Sequence, residues 1–338
     1  MSHLPDFDDL DAIAGWSSRL PGFDHDAAAA ARQRQDQLTK PPGSLGRLEE
    51  LACFMAGWRG DPRPRIDRAQ ALVFAGNHGI CARSVNAFPP EVTAAMVANF
   101  RVGGAAINQL ARTAGAELTV VALDLDRPTR DFTTAAAMSA EECLDAIRRG
   151  AAAVDRSADI ILLGEMGIGN STVAAALAHA ICGGQAEDWV GRGTAPDNAI
   201  LAIKTGVVRD GVAAHAGVSP MQALAALGGR EQAAICGAVL AARAARIPVM
   251  LDGYICTAAV APLHGANPDL LAHCLVGHLS GEPGHVRLCR AMGKQPILDL
   301  GMRLGEGTGA SLALTILRGA LACHDGMATF AEAGIAAG

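Results

Sequence analysis

The sequence predicts an α/β fold built on a doubly wound parallel sheet flanked by helices. Three observations carry this expectation. Short apolar runs of strand length recur along the chain and end in Gly or Asp. Each is followed by an Ala-rich, helix-like stretch. The chain is 338 residues long and 50% hydrophobic, enough apolar material for a sizeable core, which excludes disorder over most of its length. Strand-length runs alternating with helices imply parallel strands buried on both faces and joined by right-handed crossovers. In such sheets ligands sit beyond the carboxyl ends of the strands.

In chain order, residues 6–38 read as helical, because Phe7, Leu10, Ile13 and Trp16 recur at three-residue steps and a polar Gln/Arg run follows from Arg32. Lys40-Pro41-Pro42-Gly43-Ser44-Leu45-Gly46-Arg47 packs prolines and glycines into a shaped loop. A helix resumes over 48–58, and 60–65 is a second turn-rich join, so 1–65 reads as an accessory layer. The strand-like runs then fall at 71–75, 118–123, 160–163, 249–251, 271–276 and 297–300. The Gly/Ala-rich end from Phe330 is expected to fray.

Composition narrows the partners. A net charge of −6 without a dense Lys/Arg stripe argues against nucleic acid, and 4% aromatics leave little for base-stacking platforms. No stretch of 18 uninterrupted apolar residues occurs, so no membrane span is expected. The start, MSHLPDFDDLDAIAGW, is acidic where a secretory signal is basic and then apolar. The nine cysteines form no C-x-x-C pair and read as reduced thiols, which points to the cytoplasm.

Four segments can carry chemistry. Gly164-Glu165-Met166-Gly167-Ile168-Gly169-Asn170-Ser171-Thr172 follows a strand run and opens a helix. It reads either as an anion seat, with free N–H groups and the helix dipole aimed at a phosphate, or as a plain turn with Asn170, Ser171 or Thr172 as cap. Glu165 would repel phosphate there, so it suits a hydroxyl or a positive centre better. Near the C-terminus, Gly305-Glu306-Gly307-Thr308-Gly309 leaves one carboxylate unshielded. Glu306 is either a desolvated general base with a raised pKa or a solvated helix start capped by Thr308. His78, in Gly76-Asn77-His78-Gly79, can be an acid–base group, a metal ligand or, the favoured reading, a packed turn residue. Arg192 and Lys204 are phosphate contacts or ordinary solvated charges. His273, His278 and His285 lack metal-site spacing, so no metal is expected. Asp124 and Asp126 follow a strand but lack the pattern of a ribose-diphosphate loop. No G-x-S-x-G or G-K-[ST] occurs.

Taken together and in order, these segments resemble one family. They are Lys40–Glu49, Asn77-His78-Gly79, Gly164–Thr172, Leu251-Asp252-Gly253 and Arg303–Gly309. The resemblance, over about residues 30–325, is to the nicotinate-nucleotide–dimethylbenzimidazole phosphoribosyltransferases. It implies transfer of ribose 5-phosphate from nicotinate mononucleotide to 5,6-dimethylbenzimidazole, giving α-ribazole 5-phosphate and nicotinate for the lower ligand of cobalamin. It implies Glu306 as the base that deprotonates the benzimidazole. Glu165, Gly167, Gly169, Asn170, Ser171 and Lys204 then hold the phosphoribose. His78, Phe88 and Met96 belong to the base pocket, where Phe88 and Met96 replace Ser and Gln of some members and make it more apolar. Asn77 stands where Asp is usual, and Ala195 where a further Gly is expected.

The resemblance also implies a small helical domain from 1–65 plus 310–338, a Rossmann-like α/β domain over 66–309 carrying the active site, no cofactor, and a homodimer with the partner chain near the site. Two other functions fit the same sheet. A dinucleotide-dependent oxidoreductase needs G-x-G-x-x-G after the first strand, which Gly76-Asn77-His78-Gly79 does not supply. A silent protein that binds a benzimidazole or a nucleotide would keep the same segments without turnover.

Overall fold

A computed structural model of the chain describes residues 6–191 and 198–336. Six strands form one sheet in the order β2-β1-β3-β4-β5-β6, every neighbouring pair parallel. They are β1 (Ala69–Ala75), β2 (Ala116–Ala122), β3 (Ile160–Met166), β4 (Val249–Leu251), β5 (Cys274–His278) and β6 (Pro296–Leu298). The chain steps from β1 to β2 on one side and returns to β3 on the other. Crossovers therefore diverge between β1 and β3, the position where such sheets open a ligand crevice.

Side chains alternate across the sheet with period two, and both faces are apolar. On one face Leu72, Phe74, Ile161 and Leu163 share a core with the helices Asn170–Cys182 and Arg230–Ala244. On the other, Ala71, Ile160, Leu162 and Met250 pack against Arg47–Arg59 and Thr308–Gly326 through Leu51, Met55, Leu314 and Leu317. All six runs seen in the sequence are strands; 249–251 is β4 to the residue, and the other five differ from their strands at one end or both. β3 runs on through Glu165, which places that carboxyl inside the strand. β5 starts late because Asn267 and Pro268 wind 268–271 into a 3-10 turn, Asn267 accepting the Asp269 N–H at 3.0 Å.

The expected helix over 6–38 is broken. Pro21-Gly22 separates a 3-10 run, Asp11–Ser18, from the helix His25–Gln37. Asp24 caps that helix by accepting the Ala27 N–H at 2.9 Å. The three-residue stripe is real: Phe7, Leu10, Ile13 and Trp16 are all buried, in the same layer as Leu72 and Phe74. Asp11–Ser18 and Thr308–Gly326 thus join opposite layers of the molecule. The Pro/Gly loop closes on itself, with Lys40 Nζ 2.8 Å from Glu49 Oε1, which also accepts the Leu45 N–H at 3.0 Å.

Two strand glycines position the site. A Cβ on Gly164 would lie 2.5 Å from the Glu306 backbone, and one on Gly277 would lie 2.8 Å from the Ala310 Cα. Their absence lets the segment 305–310 lie directly on β3 and β5. No disulfide joins the nine cysteines; Cys81, Cys182 and Cys323 are half-buried and the rest buried. Among the described residues no helix is long and apolar enough to cross a membrane.

Candidate active site

The carboxyl ends of β3, β4, β5 and β6 open into one cleft. Its walls include Glu165, Gly167, Gly169, Asn170 and Ser171 after β3, Asp252 and Tyr254 after β4, His278, Ser280 and Glu282 after β5, and Arg303 and Gly305 after β6. Lys204 reaches it from the helix Asn198–Ala214, and Val85 and Asn86 from the segment after β1.

Glu306 sits in a strained turn beside this cleft. Gly305, Glu306 and Gly307 have φ of 85°, 65° and 87° in succession. That is ordinary for the glycines and costly for Glu306. Asp252 is the clamp: its carboxylate accepts the Gly307 N–H at 3.1 Å and the Ala310 N–H at 2.9 Å. Burial pushes the Asp252 carboxyl above its ordinary range, while the nearby His278 and the backbone N–H donors at this helix N-terminus favour its ionised form. His278 Nε2 lies 3.7 Å from it. The helix at 308 therefore has no side-chain cap from Thr308, whose hydroxyl instead donates to the Gly305 carbonyl at 2.7 Å. Glu306 is 5% exposed, and its Oε2 has no hydrogen-bond partner among the described residues. Burial first, and the charge of Asp252 second, push its carboxyl from the ordinary 4.5 up to about 7. An acid poised there can accept a proton near neutrality.

The same shift makes stability pH-dependent. The folded chain holds a proton on Glu306 in a range where the unfolded chain has released it. Stability therefore falls as pH rises from 4.5 through about 7. Glu306→Gln is expected to flatten this slope. Denaturant unfolding of both proteins at pH 5 and pH 8 measures it, and parallel slopes would contradict the assignment.

Glu165 resolves a conflict that the sequence alone poses. Burial, then the charges of Asp252 and Glu231, raise its carboxyl to about 8, so it is largely neutral at pH 7 and does not repel an anion. Asn170 Nδ2 donates to Glu165 Oε2, and a Cβ on Gly305 would fall 2.3 Å from Oε1. The carboxyl is thereby pinned between the helix start and the Glu306 turn. Asn170 thus orients Glu165 instead of capping its helix. The N-cap is Gly169 at φ 91°, with no side-chain cap, and that helix start remains open toward the cleft. Lys204 is 2% exposed, its ammonium donating to Ser171 Oγ and the Gly191 carbonyl, each at 3.0 Å. It is no solvated surface charge. Burial lowers its pKa, against the pull of Glu282.

The structure thus brings Glu165, Gly167, Gly169, Asn170, Ser171 and Lys204 to the wall of one cleft, with Glu306 directly behind the wall residue Gly305. It does not gather the three base-pocket residues. Phe88 is 49% exposed, and Met96 packs with Phe100, Ile107 and Met166. His78 is sealed from the cleft, its Nε2 3.1 Å from Glu231 Oε1 with both side chains fully buried. Val85 and Asn86 of the same segment reach the wall instead. Arg192 and Ala195 lie outside the described residues. The sequence gives no site role to Asp252, His278, Ser280 and Glu282, although Leu251-Asp252-Gly253 is among the segments that carry the resemblance. Each follows or ends a strand run, and that position was the available signal. His273 and His285 each hydrogen-bond elsewhere, to the Val239 carbonyl at 3.1 Å and the Ser280 N–H at 2.9 Å.

A family model described as phosphoribosyltransferase matches residues 20–335. The nicotinate-nucleotide–dimethylbenzimidazole phosphoribosyltransferase of Rhodobacter capsulatus is 59% identical over 337 residues, 100% of both chains. That of Ruegeria pomeroyi is 57% identical over 335 residues, covering 99% of this chain and 100% of its own. The crystal structure of the enzyme from Thermus thermophilus superposes with a TM-score of 0.88 at 39% identity, covering 93% of this chain and 100% of that one. A match of this extent, over a sheet and a cleft built as described, shows that the chain belongs to the nicotinate-nucleotide–dimethylbenzimidazole phosphoribosyltransferase family.

Proposed function

We propose that this chain transfers the 5-phosphoribosyl group of nicotinate mononucleotide to 5,6-dimethylbenzimidazole, with Glu306 as general base. The observation that carries the role of Glu306 is its buried, unpartnered Oε2 on a carboxyl poised at about 7. A benzimidazole N–H supplies the missing donor. As that proton moves to Glu306, the other ring nitrogen attacks the anomeric carbon. The nicotinate leaves with the electron pair of its glycosidic bond, which neutralises the pyridinium, so neither metal nor acid is required to expel it. Attack opposite the leaving group inverts the β donor into an α product. What the protein supplies is orientation and one proton acceptor.

The open helix start after Gly169 and the Lys204–Ser171 contact suit the donor's phosphate, and the neutral Glu165 suits a ribose hydroxyl. Lys204→Ala removes a charge-assisted contact worth about 1.5–3 kcal/mol. The donor KM should rise roughly ten- to a hundredfold, with the KM for the base little changed. Initial rates with each substrate varied decide this, and an unchanged donor KM would count against the phosphate seat. The test of the reaction itself is an incubation with both substrates, read by chromatography for α-ribazole 5-phosphate and nicotinate. Unchanged substrates would overturn the proposal.

The oxidoreductase alternative gains no support. Where a dinucleotide fold seats its pyrophosphate after the first strand, this chain buries the His78–Glu231 pair. The reading carries with it a cytoplasmic homodimer, supported by the family resemblance.

A further inference from the structure

The turn Gly167-Ile168-Gly169 is held by a segment that contributes Val85 and Asn86 to the cleft wall. The Ile168 N–H donates to Thr93 Oγ1 at 3.1 Å in buried surroundings. The Ile168 carbonyl accepts from Cys81 Sγ, also at 3.1 Å. Both backbone groups of one residue are therefore committed to residues 79–93. That stretch runs from the 3-10 turn Gly79–Arg83 into the helix Val92–Val102. It also supplies Val85 and Asn86 to the cleft.

The junction has no slack. Thr93 is 0% exposed. A Cβ on Gly169 would fall 2.7 Å from Cys81 Sγ, and one on Gly167 would fall 2.8 Å from His78 Nε2. Close-packed parts of this kind shift together or not at all. Val85 is buried and lies in the chain between Cys81 and Thr93, so the two contacts to Ile168 are the route by which a shift of Val85 and Asn86 is passed to the start of the following helix.

We propose that Thr93 and Cys81 are positioning residues that couple the two substrate sites. Resting on the phosphoribosyl reading above, the coupling means that a base seated against Val85 and Asn86 fixes the phosphate turn, and each ligand binds more tightly in the presence of the other. The effect is reciprocal, because it is a free energy shared between two sites.

The test uses ribose 5-phosphate, which carries the phosphoribose without a leaving base, titrated calorimetrically with and without saturating 5,6-dimethylbenzimidazole. In the unmodified protein the base should tighten ribose 5-phosphate roughly tenfold. Thr93→Val, which removes the acceptor, should bring that ratio close to one, and Thr93→Ser should restore it. Cys81→Ala and Cys81→Ser should repeat the pattern with a smaller loss, and they carry the test if Thr93→Val does not fold, as thermal melting would show. A purely structural role would lower melting temperature and leave the ratio intact. A ratio of one in the unmodified protein, or a full ratio in both Thr93→Val and Cys81→Ala, would overturn the coupling. If the unmodified protein makes α-ribazole 5-phosphate but shows no coupling, this inference alone fails. If it makes no product, the parent reading fails.

Discussion

Glu306→Gln should lower kcat by about 10²–10⁴-fold while leaving the fold and the binding of both substrates intact. Gln has nearly the shape of Glu and can occupy the same left-handed turn, but it cannot take a proton. The loss should fall on kcat and on kcat/KM together, because proton removal belongs to the transition state and not to ground-state binding. Melting temperature at pH 8 should hold or rise, since the variant no longer keeps a raised carboxyl charged in a buried place. Steady-state kinetics and thermal melts on the same preparation separate the two effects. A variant with unchanged kcat would remove Glu306 from the chemistry.

Asp252→Ala should be nearly as damaging, though Asp252 is a positioning residue. Its two oxygens are the acceptors for the buried N–H groups of Gly307 and Ala310. Without them each donor is left unsatisfied, at about 1–3 kcal/mol apiece. The left-handed Glu306, itself worth about 1–3 kcal/mol of strain, then loses the clamp that holds it there. A displacement of about 1 Å at a catalytic group can cost about a hundredfold in rate, and that is the loss expected in kcat. Asp252→Asn separates geometry from charge. It keeps one acceptor and removes the negative charge that helps raise Glu306, so the acid limb of its pH–rate profile should move to lower pH. An Asp252→Ala variant with full activity would show that the turn needs no clamp. An Asp252→Asn limb at the original position would show that its charge does not tune Glu306.

Much of the architecture was legible because it rests on local pattern. Apolar runs such as 160–163 and 249–251 must be buried on both sides, and strands of a parallel sheet are the economical way to do that. The stripe of Phe7, Leu10, Ile13 and Trp16 marked a buried face even though a 3-10 run, not a long helix, displays it. Strand ends were harder. Asn267 and Pro268 wind a turn that competes with the apolar run behind it, and only the cap geometry shows which wins.

The site was legible in its residues and not in its electrostatics. Gly305-Glu306-Gly307 announces an exposed backbone, but the clamp on it comes from Asp252, more than fifty residues earlier in the chain. Glu165 looked wrong beside a phosphate because a sequence shows a charge, whereas burial and two distant carboxylates, Asp252 and Glu231, set its protonation. The glycine-rich surroundings of His78 favour a packed turn residue. Its partner Glu231 lies on a helix that no local pattern connects to it. Phe88 and Met96 are near in sequence to the cleft-lining Val85 and Asn86, but one points to solvent and the other into a separate cluster.

Single-turnover rates with both substrates saturating, measured from pH 5.5 to 8.5, decide whether Glu306 takes the proton. With Glu306 as the base, the rate should fall tenfold per pH unit on the acid side of an inflection near 7, and the residual rate of Glu306→Gln should show no such limb. The same limb persisting in Glu306→Gln would place the titrating group elsewhere and contradict the account.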